Sequence, residues 1–162
     1  MMKTPSLRDM TEGDTAACAA MVCASLVGER YGFKPDSMAA VLRNALASGS
    51  ELFVAETDGR VAGFAWIDAR GAFSSAPYLR LIAVDESLRG AGTGAALLAE
   101  FESRTAAVGR DWCLLVSDFN EAAQAFYARH GYDRAGLLPG FAREGITEVL
   151  MVKKHGRQAP AT

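Results

Sequence analysis

Cysteine is scarce in this chain of 162 residues, which holds only Cys18, Cys23 and Cys113. An odd number without metal or redox spacing excludes a disulfide framework and a cysteine metal site. It points to reduced thiols and a cytoplasmic setting. Long apolar runs are also missing. The longest, Ala16 to Val27, is too short for a bilayer and is broken by Ser25. Asp9, Glu12 and Asp14 precede it, where a secretion signal carries basic residues. No membrane partner is expected. No charge dominates: the net charge is −2, and Lys and Arg are dispersed. The only basic cluster, Lys153-Lys154-His155-Gly156-Arg157, begins the C-terminal tail, so no nucleic-acid surface is expected. Repeats, linkers and composition shifts are absent. The expectation is one domain, 1–162, with about 155–162 as a flexible tail, acting as a monomer or homodimer.

Half of the residues are hydrophobic, enough for a sizeable core. Ser6 to Met10 reads as a short strand. A turn follows, and Asp14 opens a helix to about Glu29. Val27 to Pro35 reads as a loop, and Asp36 or Ser37 caps a helix that closes near Gly49. Asp58-Gly59 joins strands Glu51–Thr57 and Arg60–Asp68 as a type I′ hairpin. Gly71 to Ala76 reads as a loop and Tyr78 to Val84 as a fourth strand. A helix from about Gly92 to Val108 carries Leu97, Leu98 and Phe101 at helical spacing. Strand Trp112–Ser117, helix Asn120–His130, and strands Tyr132–Leu137 and Ile146–Lys153 complete the order. Such an order implies a mixed sheet with helices on both faces.

The most informative segment joins the fourth strand to the helix after it. It contains Arg89, then Gly90, Ala91, Gly92, Thr93, Gly94 and Ala95. Glycines let the backbone turn tightly and approach a ligand. The helix start aims unpaired N–H groups at the turn, and Arg89 adds a positive charge. The result is an anion site suited to a pyrophosphate. Three readings of the string are open. Gly90-x-Gly92-x-x-Ala95 fits a dinucleotide fingerprint, with Asp118 as the ribose acid. The string can also be a bare surface turn. Read from Arg89, Arg89-x-x-Gly92-x-Gly94 resembles the acetyl-CoA loop of the GNAT N-acetyltransferases. No Gly-Lys-Ser/Thr follows, which excludes a Walker loop.

The surroundings decide for the last reading. Asp85 to Arg89 separate the strand from the first glycine, unlike a dinucleotide fold. The residues after Asp118 are too few for a six-stranded doubly wound domain. Asn120-Glu-Ala-Ala123-Gln-Ala-Phe126-Tyr127, then His130-Gly131-Tyr132, resembles a second GNAT segment in the family's order. The resemblance covers about Ser6 to Lys153. It implies a GNAT-like α/β fold: a mixed, mostly antiparallel sheet flanked by helices on both faces, with strands four and five splayed around the cofactor.

The resemblance also implies roles. Arg89 and Gly90 to Ala95 hold the pyrophosphate of acetyl-CoA. The backbone of Ile82, Ala83 and Val84 pairs with the pantetheine arm, Asn120 contacts the cofactor, and Tyr127 protonates the departing sulfur. Asn120 and Tyr127, seven positions apart, share a helix face. The expected activity is direct acetyl transfer to a primary amine, on a small molecule or on a peptide or protein. The alternatives are an acyl-CoA-binding module without turnover and a Rossmann-like dinucleotide-binding protein. Some family members carry a glutamate base in strand four or five. Here those strands offer Arg80, Leu114 and Leu115. Water-mediated deprotonation is open, and Glu29, Asp68, Asp118 and Glu148 are candidate bases, each of which reads more simply as a solvated surface carboxylate. Cys113 reads as core, which argues against a Cys113/His130 nucleophile pair.

Overall fold

The computed structural model describes residues 3–88 and 90–156. The chain divides into two compact units, Met1–Asp68 with Arg80–Ser103, and Ala69–Leu79 with Arg104–Thr162.

In the first unit, β1 (Ser6–Asp9) is followed by helices α1 (Thr15–Ala24), α2 (Leu26–Tyr31) and α3 (Pro35–Ala47). Strand β2 (Glu51–Thr57) then turns at Asp58 and Gly59, with φ of 52° and 76°, into β3 (Arg60–Ala72). Both turn residues are left-handed, as the type I′ reading expects. Strands β1 and β2 pair antiparallel, as do β2 and β3. Each face of the β2–β3 pair is buried. Val54 and Phe64 join Val22 and Leu42 in one core, and Phe53 and Ala65 are buried on the other face. Each such large side chain contributes about 1.5–3 kcal/mol by leaving water.

Three expectations are corrected in this unit. The helix opened near Asp14 does not run to Glu29. Ser25 is extended (φ −77°, ψ 163°), and its side chain accepts from the Gly28 N–H, capping α2. Gly28 sits so close to the Val22 carbonyl that a Cβ would collide with it. Val27 to Tyr31 is therefore helix, and the chain leaves it at left-handed Gly32. Helix α3 begins at Pro35, with Lys34 as its N-cap residue, ahead of Asp36 and Ser37. Proline fits there because a first-turn N–H has no helical partner.

In the second unit, β3 continues through Gly71 to Ala72 and β4 (Ala76–Val84) begins at Ala76, so the loop expected at 71–76 shrinks to the turn at 73–75. Phe73 and Ser74 make the turn with φ of 55° and 56°. Strand β5 (Trp112–Ser117), helix α5 (Glu121–Arg129), β6 (Asp133–Pro139) and β7 (Thr147–Lys153) follow. Strand β5 pairs antiparallel with β7, and β7 with β6. The pairing of β4 with β5 is parallel and joins only Tyr78 to Cys113 and Leu79 to Leu114. The strand order is β1-β2-β3-β4-β5-β7-β6, and helix α4 (Thr93–Thr105) links β4 to β5. This mixed order excludes a doubly wound parallel sheet.

Candidate active site

The glycine segment lies in the first unit. After β4, the Asp85 N–H donates to the Ala62 carbonyl at 2.8 Å. Asp85 Oδ1 accepts from the Ser87 hydroxyl at 2.7 Å and the Ser87 N–H at 2.9 Å. These bonds hold the Asp85 carboxyl below its usual range. The expected role of Arg89 falls on a residue outside the described ones. Gly90 and Gly92 are left-handed, with φ of 86° and 77°, and a Cβ at either would meet open space. Helix α4 closes its first backbone bond from the Ala96 N–H to the Gly92 carbonyl at 2.9 Å. The N–H groups of Thr93, Gly94 and Ala95 therefore have no partner within the helix. Thr93 is only 2% exposed, and its Oγ1 is buried without a hydrogen-bond partner. Buried hydroxyls are normally satisfied. Left-handed glycines, N–H groups at a helix start and an unpaired hydroxyl together fit an anionic diphosphate cofactor.

One residue that sequence reasoning passed over positions this turn. Gly63 on β3 faces α4. A Cβ there would lie 2.8 Å from the Ala83 carbonyl oxygen and 3.0 Å from both Thr93 Cγ2 and Leu97 Cδ1. A glycine inside a strand is a signal for such a close approach. Ile82, Ala83 and Val84, at the end of β4, are half-buried.

The second unit holds Asn120 and Tyr127. Asn120 caps α5, its side chain accepting from the Ala123 N–H at 3.3 Å. Tyr127 is 6% exposed, packed edge-on to Phe126 and Tyr132 with centroids 5.3 and 5.9 Å away. Burial pushes its phenol well above the usual value, so the hydroxyl keeps its proton throughout the neutral range. His130 follows the last residue of α5 and packs on Phe126 at 4.7 Å.

The candidate bases divide. Glu29, Asp68 and Asp118 are exposed, as expected. Glu148 is not: it is 6% exposed and accepts a hydrogen bond from Ser117 Oγ at 3.0 Å. It lies opposite Ser117 in the β5–β7 pair. The cysteines are unsuited to nucleophilic work. Burial pushes Cys18 up to about 12 and raises Cys113, and all three thiols are unpaired. Among the described residues no cluster of His, Cys, Asp or Glu could hold a metal, and no helix is long and apolar enough to cross a membrane.

The acetyltransferase (GNAT) domain profile matches residues 48–134, more than half of the chain, and the chain belongs to that family. An uncharacterised N-acetyltransferase of Methanocaldococcus jannaschii is 34% identical over 109 residues. The match covers 63% of this chain and 65% of that relative, just under two thirds of its length. A GNAT-family acetyltransferase structure from Desulfovibrio desulfuricans superposes with a TM-score of 0.77 at 22% identity, over 94% of this chain and 99% of the other. An acetyltransferase of Salmonella typhimurium, solved with its cofactor acetyl-CoA, superposes with a TM-score of 0.70 at 16% identity, over 99% of both chains.

Proposed function

We propose that the protein transfers an acetyl group from acetyl-CoA to a primary amine by direct attack. The observation that carries this reading is the start of α4, with left-handed Gly90 and Gly92, the N–H groups of its first turn and the unpaired Thr93 hydroxyl. Arg89 and Gly90 to Ala95 would hold the pyrophosphate. The backbone of Ile82, Ala83 and Val84 would run beside the pantetheine arm, and Asn120 would contact the cofactor. When bound, acetyl-CoA supplies the acetyl group as an activated thioester. The raised thiols leave no cysteine ready to take that group, which supports direct transfer. Tyr127 keeps its proton at Oη and offers it to the departing sulfur. The acceptor is a small-molecule amine or a peptide or protein amine. The three unpaired cysteines support a reducing, cytoplasmic setting.

Calorimetry with acetyl-CoA and with NAD tests the reading. Acetyl-CoA should bind, and NAD should neither bind nor compete. Binding of NAD with no binding of acetyl-CoA would overturn it.

A further inference from the structure

Three arginines stand on the strands of the first unit: Arg8, Arg60 and Arg80. Two of them meet carboxylates. Arg8 bonds to Asp14 and Glu56, and the charge of Arg60 acts on Asp85. Arg80, on β4, meets an aromatic ring instead. Its guanidinium carbon lies 4.6 Å from the centre of the Trp66 indole. Arg80 is exposed, and among the described residues no carboxylate pairs with it.

The ring beneath Arg80 is anchored. Trp66 stands opposite Leu52 in the β2–β3 pair and packs against the core that holds Val22 and Leu42. A guanidinium resting on such a ring gives up part of its rotamer freedom before any ligand arrives, which lowers the entropy cost of binding. The ring contact occupies one side of the guanidinium and leaves N–H donors around its rim. Those donors form a fork that matches the two oxygens of a carboxylate. The cation is thus braced, open to solvent and without an anion of its own.

Its place on β4 says which anion it serves. On the acetyl-transfer reading the pyrophosphate sits at the start of α4, and the pantetheine arm runs back along Val84, Ala83 and Ile82. The acetyl end then lies toward Ile82. Arg80 is two residues further back, about 6.6 Å along the strand, and about 13 Å from Val84, where β4 ends. The cofactor's phosphates lie past that far end, whereas a group bonded close to the attacking nitrogen lies within reach. Resting on the acetyl-transfer reading, we propose that Arg80 binds a carboxylate of the acceptor, which makes the acceptor a free amino acid or a similar small amino-carboxylate. Two Arg80 N–H groups donate to the carboxylate oxygens, and Trp66 supports the guanidinium from behind. The amine is then turned toward the thioester beside Ile82. A lysine within a protein carries no carboxylate within a few bonds of its side-chain nitrogen, so it is disfavoured.

The test uses the full chain as wild type, Arg80→Gln and Arg80→Lys, with free amino acids and their amides as matched probes. In wild type the free acids should exceed the amides in kcat/KM by roughly tenfold or more, through KM. Arg80→Gln should remove that preference, raising KM for the acids while values for the amides change far less. Arg80→Lys should restore only part of it, because a point charge lacks the fork. Carboxylate and guanidinium both stay charged between about pH 6 and 9, so the preference should be flat there. Calorimetry of each probe on the CoA-bound protein needs no turnover and should show the same ranking of affinities. If Arg80→Gln does not fold, Arg80→Lys and the wild-type ranking carry the comparison. Equal affinity and kcat/KM for acids and amides in wild type overturn the proposal, as does a preference that survives Arg80→Gln. Failure of the wild type to bind acetyl-CoA instead overturns the acetyl-transfer reading itself.

Discussion

Gly63 lies directly beneath Thr93: a Cβ on Gly63 would sit 3.0 Å from Thr93 Cγ2. The missing side chain lets the first turn of α4 rest on β3. The Ala83 carbonyl, 2.8 Å from the same point, closes the space from a backbone that cannot swing aside. A contact that short forces a shift of backbone or helix.

Gly63→Ala should therefore destabilise the protein by about 1–3 kcal/mol, the usual range for overpacking. It should also weaken acetyl-CoA binding by displacing the start of α4. Thermal melting and calorimetry measure the two effects. Wild-type values for both would show that α4 does not depend on this close approach.

Gly92→Glu should abolish acetyl-CoA binding while the melting temperature drops modestly. The left-handed φ of 77° strains a side chain, and the new carboxylate repels a diphosphate. The surrounding space is open, so the fold itself should persist. Full affinity in a folded variant would move the cofactor site elsewhere.

Tyr127→Phe keeps the ring that packs on Phe126 and Tyr132 and removes only the hydroxyl. Acetyl-CoA affinity and melting temperature should change little. Turnover should fall by roughly 10²–10⁴-fold, the range for losing a positioned proton donor. Wild-type turnover, with chemistry shown to limit the rate, would leave Tyr127 a packing residue.

Acid stability should depend on Asp14. Hydrogen bonds from Arg8 lower its carboxyl from 3.8 to about 2. The folded state therefore holds the proton more weakly than the unfolded chain. That stabilisation is complete above pH 3.8 and is lost as the pH falls toward 2. It amounts to about 1–2 kcal/mol after allowing for solvent screening around the half-exposed Arg8. Asp14→Asn should lower stability at neutral pH and flatten the acid limb between pH 4 and 2. Parallel unfolding curves for variant and wild type across that window would remove Asp14 from the account.

Local signals in the sequence reached a good part of this structure. Asp58-Gly59, the periodic apolar residues of α4, and Asn120 ahead of Tyr127 each act within a few residues, and the elements follow. Ser25 was harder to read, because a serine inside an apolar run looks like helix interior. The break becomes visible only through its bond to the Gly28 N–H and the contact of Gly28 with Val22. Phe73 and Ser74 adopt left-handed conformations that their side chains do not advertise, so β3 is longer than its residues suggest. Glu148 shows the limit most clearly. A glutamate reads as surface, and its partner Ser117 is 31 positions away. Only the pairing of β5 with β7 brings them together.

The most direct test of the central claim is transfer itself. The protein is incubated with acetyl-CoA carrying a labelled acetyl group and a panel of primary amines (free amino acids and their amides, an alanine-terminated tripeptide and Nα-acetyllysine amide), and products are followed by mass spectrometry. The account predicts labelled amide on at least one amine class, with stoichiometric free CoA and no labelled protein. Labelled acetyl-CoA that binds yet leaves every amine unmodified would contradict it and make the protein an acyl-CoA-binding module.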